Sequence, residues 1–580
     1  MQGVAVHTYI NRDDPREISG QCRPVSGRSE MKRTLVPALL AQVLLVMLVA
    51  PVCAQTPAPK VTITGLFDQI TAAGRNFYDA NFSRDNDREW YARTRFRPDF
   101  EFAVGRTKAV LGIELDFGYG QMGPNDGGFP GNVSGSAGGV AGGCKANTTA
   151  CLDLNTDVAG AFEVKWIYTE FDLTGKDSLM PFIPVGTVAR AGGQPFASLA
   201  SYKTAAYANG DFAGLSGVTT FAPNVKTSIA YVMVEDQLAG GNRALAQVRT
   251  SRGKDYAFIF SPEVTPFKGL DLKPLFSYFH ADGLTSSSAR GNHANIRTAG
   301  GTTNGPAAAG TTTTAGDATL HENRYTVGLD MRLRLGPFGF DPTIYYQWGT
   351  KDSQAFRNNG SVGTVEADMS AWFVDMIGSF QEGPLLLEVR GVYTTGNKAR
   401  DNLARSIRYY QPLDADGSYF TGWSQIWATG VDYFNGGFLP MTRWITYDRF
   451  GLATVALRAT YSFTPAFSVY GIVAPMWTAE KVDTDTNVTP ASTTANAGAG
   501  NVPRTTVSDK SWVEGDSRYL GTEANIGITW RFAPNTAFDL VGSWLFAGDA
   551  LDTAEVLNGV HTRRKANDGY QAAARIRLAF

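Results

Sequence analysis

From about residue 60 onward, apolar and polar residues alternate in twos over runs of roughly ten, bounded by turn residues. In Trp90–Val104 the apolar set is Trp90, Ala92, Phe96, Phe100, Phe102 and Val104, and Arg93, Arg95, Arg97, Asp99 and Glu101 fall between them. Ala109, Leu111, Ile113, Leu115, Phe117 and Tyr119 enclose Glu114 and Asp116 in the next run. Tyr325 to Leu333 alternates around Asp330, Arg332 and Arg334, and Thr522 to Phe532 around Glu523, Asn525, Thr529 and Arg531. Runs near 385–395 (with Glu388 and Arg390), 452–463 (with Arg458), 466–477 and 537–547 repeat the pattern. A period of two predicts strands with one greasy and one polar face. Beyond residue 54, no apolar run reaches the roughly 18 residues that a membrane helix needs.

The connections alternate in length. Short ones are Gly105-Arg106, 336–339, 381–384, Thr464-Pro465 and 533–535; long ones run through 121–157, 281–322, 350–368, 396–450, 478–518 and 548–567. Pairing strands across the short turns gives eight hairpins and one strand left at each end. The expected fold is all-β, a transmembrane antiparallel up-and-down β-barrel of about 18 strands. The segments between 180 and 262 alternate least, which leaves 16 open. Aromatic residues sort by strand end. Trp90, Tyr119, Tyr325, Trp348, Trp372, Tyr393, Trp477, Trp544 and Tyr570 fall at the long-loop end. Phe102, Phe338, Phe380, Phe463, Phe467, Phe532, Phe538 and Phe580 fall at the short-turn end. Two interfacial belts are expected of a membrane barrel, and a soluble sandwich has no reason for them.

The last twelve residues, GYQAAARIRLAF, set Tyr570, Ala572, Ala574, Ile576, Leu578 and Phe580 against Gln571, Ala573, Arg575, Arg577 and Ala579. An alternating strand that ends on an aromatic residue resembles the assembly signal that closes Gram-negative outer-membrane barrels. Its signal residues here are Tyr570, Ile576, Leu578 and Phe580. Residues 31–54 read as a secretion signal: Lys32 and Arg33, an apolar core from Leu35 to Ala50, and a Val52-Cys53-Ala54 cleavage site that makes Gln55 the mature start. Residues 1–30 lack that character and read as a non-native upstream extension, leaving 55–580 as a single barrel. Val52 is not the small residue that a lipid-anchored Cys53 would require before it. Cys144 and Cys151, close together in a Gly- and Asn-rich loop of an exported chain, are expected to form a local disulfide.

Composition agrees with an all-β chain: 63 glycines, 12% aromatic and 18% charged residues. A net charge of −2 offers no basic field for nucleic acid. The sharpest chemistry is the Arg93-Arg95-Arg97 row. With Gly105-Arg106 as a two-residue turn, Arg97 falls opposite Glu114 and Arg95 opposite Asp116. Closure of the barrel brings Arg575 and Arg577 round toward the same row. Arg332, Arg334, Arg390, Arg458 and Arg531 extend an inward basic set, with Asp99, Glu101, Asp330 and Glu388 among the acidic pore-lining candidates. Two readings stay open: a field that biases a pore toward anions or zwitterions, and cross-strand ion pairs that let charges occupy a polar interior.

Loop 396–450 is rich in Tyr, Phe and Trp and carries Arg400, Arg405, Arg408, Asp414 and Asp416. Asn402–Tyr409 has the makings of a short helix. A structureless loop of that length is uncommon unless it is functional. Folding into the lumen as a constriction, capping the mouth and packing on a neighbouring subunit are the three placements open to it. The mature histidines are His280, His293, His321 and His561, the first three in or beside one loop; no metal site is expected, and no hydrolase, zinc-protease, nucleotide or haem motif is present.

Over its mature length the chain resembles an outer-membrane porin, and in size it is similar to substrate-specific porins and alginate-export barrels. The resemblance implies passive diffusion of small hydrophilic solutes, without cofactor or enzymatic activity. It also implies residence among outer-membrane lipid and lipopolysaccharide, folding by the outer-membrane assembly machinery and, often, a homotrimer. A selective channel or exporter for carboxylates, sugars or polysaccharide is the alternative within transport; an outer-membrane enzyme and an adhesin barrel are the alternatives outside it.

Overall fold

The structure, a computed structural model, describes residues 58–76, 88–119, 151–153, 158–197, 205–235, 255–282, 319–356, 362–398, 401, 406–413, 422–426, 450–482, 515, 517–557 and 560–580. Among them, eighteen long strands form one closed antiparallel sheet. In chain order these are β1 (Lys60–Arg75), β2 (Arg88–Val104), β3 (Thr107–Tyr119), β4 (Val158–Thr174), β5 (Thr187–Ala197) and β6 (Asn209–Ala222). Next come β7 (Val225–Glu235), β8 (Asp255–Phe267), β9 (Leu270–Asp282), β10 (Thr319–Leu335), β11 (Phe338–Phe356) and β12 (Val362–Glu382). The last six are β13 (Leu385–Thr394), β14 (Ala453–Thr464), β15 (Phe467–Val482), β16 (Ser517–Ala533), β17 (Thr536–Ala547) and β18 (Gly569–Ala579). Each pairs with its chain neighbours, and β18 closes on β1 from Leu66↔Ala579 to Arg75↔Tyr570. Eighteen strands about 4.8 Å apart and tilted about 40° make a cylinder roughly 35 Å across, too wide for wall side chains alone to fill.

At one end the hairpins turn tightly. Gly105 takes φ 60° at the first central position of the β2–β3 turn, a left-handed backbone that glycine adopts without a Cβ clash. That turn fixes the register of the hairpin, and Val104↔Thr107, Phe96↔Leu115 and Arg95↔Asp116 follow from it. The connection 175–186 is the long one at this end. It is braced by the N–H of Gly175 on the carbonyl of Ile183 at 2.9 Å and that of Met180 on Leu173 at 2.8 Å. Closure is sealed by Phe580, whose N–H donates to Gly65 at 3.0 Å while its carbonyl accepts from Gly65 at 2.8 Å. Its ring stacks on Phe96 at 6.0 Å.

Burial follows the period of two. On β1, Asp68, Ile70 and Ala72 are buried while Ile63 and Phe67 are exposed. The same split separates Glu523 and Asn525 from Ile526 and Trp530 on β16. The exposed, apolar face is the outside of the cylinder, because the connecting segments described below pack on the other face. Aromatic rings meet in clusters toward both ends: Tyr325–Trp348, Tyr346–Trp372 and Trp544–Tyr570 at the long-connection end, Phe338–Phe380 and Phe463–Phe467 at the other.

Several strands reach further than their alternation indicates. β10 begins at Thr319 and β11 runs to Phe356, so expected loops 281–322 and 350–368 shrink to 283–318 and 357–361. Backbone pairing outlasts the apolar stripe because a ladder needs only neighbouring main chains, whatever side chains they carry. His280 and His321 therefore sit on strands, outward-facing with ring centroids 5.0 Å apart, and not in a loop.

Candidate functional site

The inner wall is charged, and many of its charges meet across strands. Arg95 and Arg97 both reach Glu114, at 3.2 and 2.9 Å. The row also lies opposite the first strand: Leu66 faces Arg97, Asp68 faces Arg95 and Ile70 faces Arg93. Across the seam, Arg575 donates through Nε to Asp68 at 2.8 Å, and on the other side of the last strand Arg577 donates to Asp539 at 2.9 Å. Thr529 adds its hydroxyl to the same Asp539 at 2.7 Å. The resulting band crosses β16, β17, β18, β1, β2 and β3, with Arg93 wholly buried and Arg97 partly open to the lumen. Arg97 also lies over the Trp166 ring at 5.8 Å. Asp116 lies opposite Arg95 in the backbone register.

The remaining pore-lining candidates are also placed. Glu101 meets Lys108 at 3.2 Å. Asp330 is buried and accepts from Thr343 at 2.6 Å. Arg334 forks onto Asp341, with one arm at 2.6 Å. Arg390 forks onto Asp375 at 3.1 and 2.8 Å, both side chains buried. Arg458 approaches Glu388 at 3.7 Å and lies over Tyr470 at 5.3 Å. Asp99 is on the Arg row's strand, Arg332 stands across from Asp271, and Arg531 is exposed near the short-turn end. Such fork-shaped pairs are strong and directional, so they hold the wall as well as charge it.

Segments between strands fold back onto this wall. Residues 205–208, just before β6, are buried, as are 407 and 409–413 and 423–426 of the long connection between β13 and β14. The two connections brace each other. The Tyr410 hydroxyl donates to the carbonyl of Ala206 at 2.9 Å, and the N–H of Leu413 to the carbonyl of Tyr207 at 2.8 Å. Both then grip the barrel. Tyr207 shares a 2.7 Å hydrogen bond with Ser277 on β9, and Tyr410 stacks against Tyr345 and Phe373. Gln411 is held twice by Gln347 of β11: its N–H donates to Oε1 at 2.8 Å, and its carbonyl accepts from Nε2 at 2.7 Å. Its side-chain oxygen accepts from Arg324 at 2.8 Å. Further along, Glu523 of β16 takes the Ser424 hydroxyl and the N–H groups of Gln425 and Ile426, at 2.5, 2.5 and 3.0 Å, while Trp423 lies under Arg390 at 5.8 Å. Burial lifts the phenols of Tyr207 and Tyr410 above their ordinary range, so both stay protonated. Each fully buried ring stabilises the in-folded segments by about 1.5–3 kcal/mol.

Of loop 396–450, the described residues 409–413 and 423–426 pack against inward-facing wall residues such as Tyr345, Gln347, Phe373 and Glu523, while Ser406–Ile407 add to the edge of the sheet. The short helix expected over 402–409 is not what Ser406–Ile407 form: they run as a two-residue strand parallel to Asp368–Met369. The exposed main chain of a long strand offers that pairing, and a helix there would forgo it. Arg408 is exposed, with its N–H on Asn397 at 2.7 Å. Arg400, Arg405, Asp414, Asp416 and Cys144 lie outside the described residues, as do 1–57 and His293. Cys151 belongs to a three-residue strand paired with β4. No group of three or more metal-ligating side chains occurs among the described residues. Residues 205–208, Ala-Ala-Tyr-Ala, carry no period or motif that marks them as lumenal.

No family model and no curated protein sequence matches the chain. Its fold is similar to those of several solved structures. OccAB4 of Acinetobacter baumannii aligns at 10% identity and TM-score 0.43, covering 89% of this chain and 98% of that one. The outer membrane protein opdK of Pseudomonas aeruginosa aligns at 10% identity and TM-score 0.40, covering 90% and 98%. OccK8 (OprE) of Pseudomonas aeruginosa aligns at 10% identity and TM-score 0.41, again covering 90% and 98%.

Proposed function

We propose that this chain is a passive diffusion channel of a Gram-negative outer membrane, passing small hydrophilic solutes down their gradients. One observation carries the reading: a closed cylinder with an apolar skin has its charges turned inward, around a lumen too wide for the wall to fill. Lipid solvates the outside, and only water or an aqueous solute is a suitable neighbour for the inside. The short turns would face the periplasm and the long connections the exterior. Residues 31–54 would direct export and be removed, and the terminal strand ending at Phe580 would be read by the assembly machinery. Homotrimers and lipopolysaccharide contacts fit the same setting. Diffusion requires no cofactor and no catalytic group.

A second reading within transport is selectivity, and the in-folded segments favour it. Segments 205–208 and 409–413, packed on the inner wall, would narrow the lumen and put hydrogen-bonding groups in it, as a channel for particular solutes would need. Arg97 and Arg577, the arginines of the band most open to the lumen, would lean its solvent-facing part toward anions. The purified protein in planar bilayers should give discrete, ohmic conductance steps, and in liposomes it should allow swelling with small solutes. Failure to conduct or to swell would overturn the channel and leave an adhesin or an enzyme barrel.

A further inference from the structure

Away from the arginine band, β4 to β9 shape a recess of about 370 Å³ in the wall. This lies near the small end for a ligand site. One edge is an ion-pair cluster: Glu170 receives Arg190 at 2.6 Å and Lys108 at 3.1 Å, and Lys108 also meets Glu101 at 3.2 Å. The other edge is Lys273 on Glu263 at 3.0 Å. Between them the register runs Arg190↔Ser216↔Ala230↔Ile259 in one row and Val188↔Val218↔Ser228↔Ser261 in the next. The two middle strands thus contribute serine, alanine and valine to a floor about 14 Å wide between the charged edges. Phe196 adds an aromatic ring to the lining.

This chemistry selects against ions. Every cation at the edges faces a carboxylate, so a solute anion would have to displace Glu170 or Glu263, and a solute cation would have to displace a lysine or arginine. It suits a neutral molecule rich in hydroxyls. Ser216 donates to Gln194 at 2.6 Å and Ser261 to the carbonyl of Pro274 at 2.9 Å, which leaves their oxygens free to accept. Ser228 has no hydrogen-bond partner among the described residues, so its hydroxyl can both donate and accept. The lysine and glutamate edges supply further donors and acceptors. Val188, Val218 and Phe196 offer apolar surface to the C–H face of a ring. We propose that this recess is a binding station on the pore wall for a small neutral carbohydrate, a mono- or disaccharide. The proposal rests on the channel reading and names a solute class for it.

Two measurements test it, one of which needs no channel. In planar bilayers, sucrose should reduce the ion current of each open channel with saturation, whereas gluconate and glycine at equal concentration should not. In detergent, saturation-transfer NMR should show sucrose binding to the whole protein. Ser228→Leu fills the recess and should raise the half-saturating sucrose concentration at least about tenfold; Ser228→Ala should raise it about threefold, the weight of one neutral hydrogen bond. Each variant is scored against its own sugar-free current, and Ser228→Ala stands in if the leucine variant fails to assemble. A conducting channel that shows no sucrose signal, or a signal that neither variant weakens, overturns the station alone. Gluconate blocking more tightly than sucrose also overturns it. Sucrose binding without any conductance would overturn the channel and keep the site.

Discussion

Glu523 of the barrel wall accepts the backbone N–H of Gln425 at 2.5 Å, across nearly a hundred residues of sequence. With the Ser424 hydroxyl and the Ile426 N–H on the same carboxylate, it latches one in-folded segment to the wall. Hydrogen bonds to a charged acceptor contribute about 1.5–3 kcal/mol each. Glu523→Gln replaces one acceptor oxygen by a donor facing N–H groups, so the segment should loosen. Single-channel recordings should show a larger and noisier open level than the parent; an unchanged, quiet level would mean that the latch does not set the bore.

Arg97 and Arg577 are the members of the arginine band most open to the lumen, each already held by one carboxylate. Neutralising both to Gln leaves Glu114 and Asp539 in place and tips the band toward negative. The reversal potential in a salt gradient should move toward cation preference. If it stays put, these arginines serve as cross-strand ties only.

Arg390 and Asp375 form a two-pronged pair away from solvent. Asp375→Ala takes away the carboxylate and leaves a buried guanidinium short of its counter-charge, at a cost of about 3 kcal/mol or more. Trp423 lies against the same guanidinium, so the in-folded segment should loosen with it. Urea titration of the refolded barrel in lipid should show a lower midpoint; parity with the parent would contradict the pair's weight.

Ile526 stands 67% exposed at mid-strand on the outer face. Arginine there should weaken folding into lipid by about 2–4 kcal/mol if hydrocarbon surrounds it. In a water-soluble barrel the same change would be close to neutral. Tolerance of Ile526→Arg in vesicle-folding assays would therefore remove the membrane from the account.

Phe580 couples the last strand to the first through both main-chain hydrogen bonds with Gly65 and its stacking on Phe96. Deleting it should lower the amount of protein recovered in the outer-membrane fraction, with the remainder degraded or aggregated. Undiminished recovery would show that neither closure nor assembly depends on the terminal ring.

Sequence alone determined the wall. A strand exposes its two faces by strict alternation, and a two-residue turn allows one register, so the Arg95–Asp116 rung, the tight hairpins and the inward charges follow from local rules. Tertiary structure decided what the wall encloses. Ala206 and Tyr410 are 204 residues apart, and nothing periodic in either segment announces that they meet. Glu523 reads as one more inward charge until Gln425 arrives beside it. The helix expected near residue 406 yielded to pairing with Asp368 and Met369 for the same reason. Alternation records which side of a sheet a residue faces, whereas the filling of a lumen depends on which distant groups find complementary partners there, and no local period encodes that.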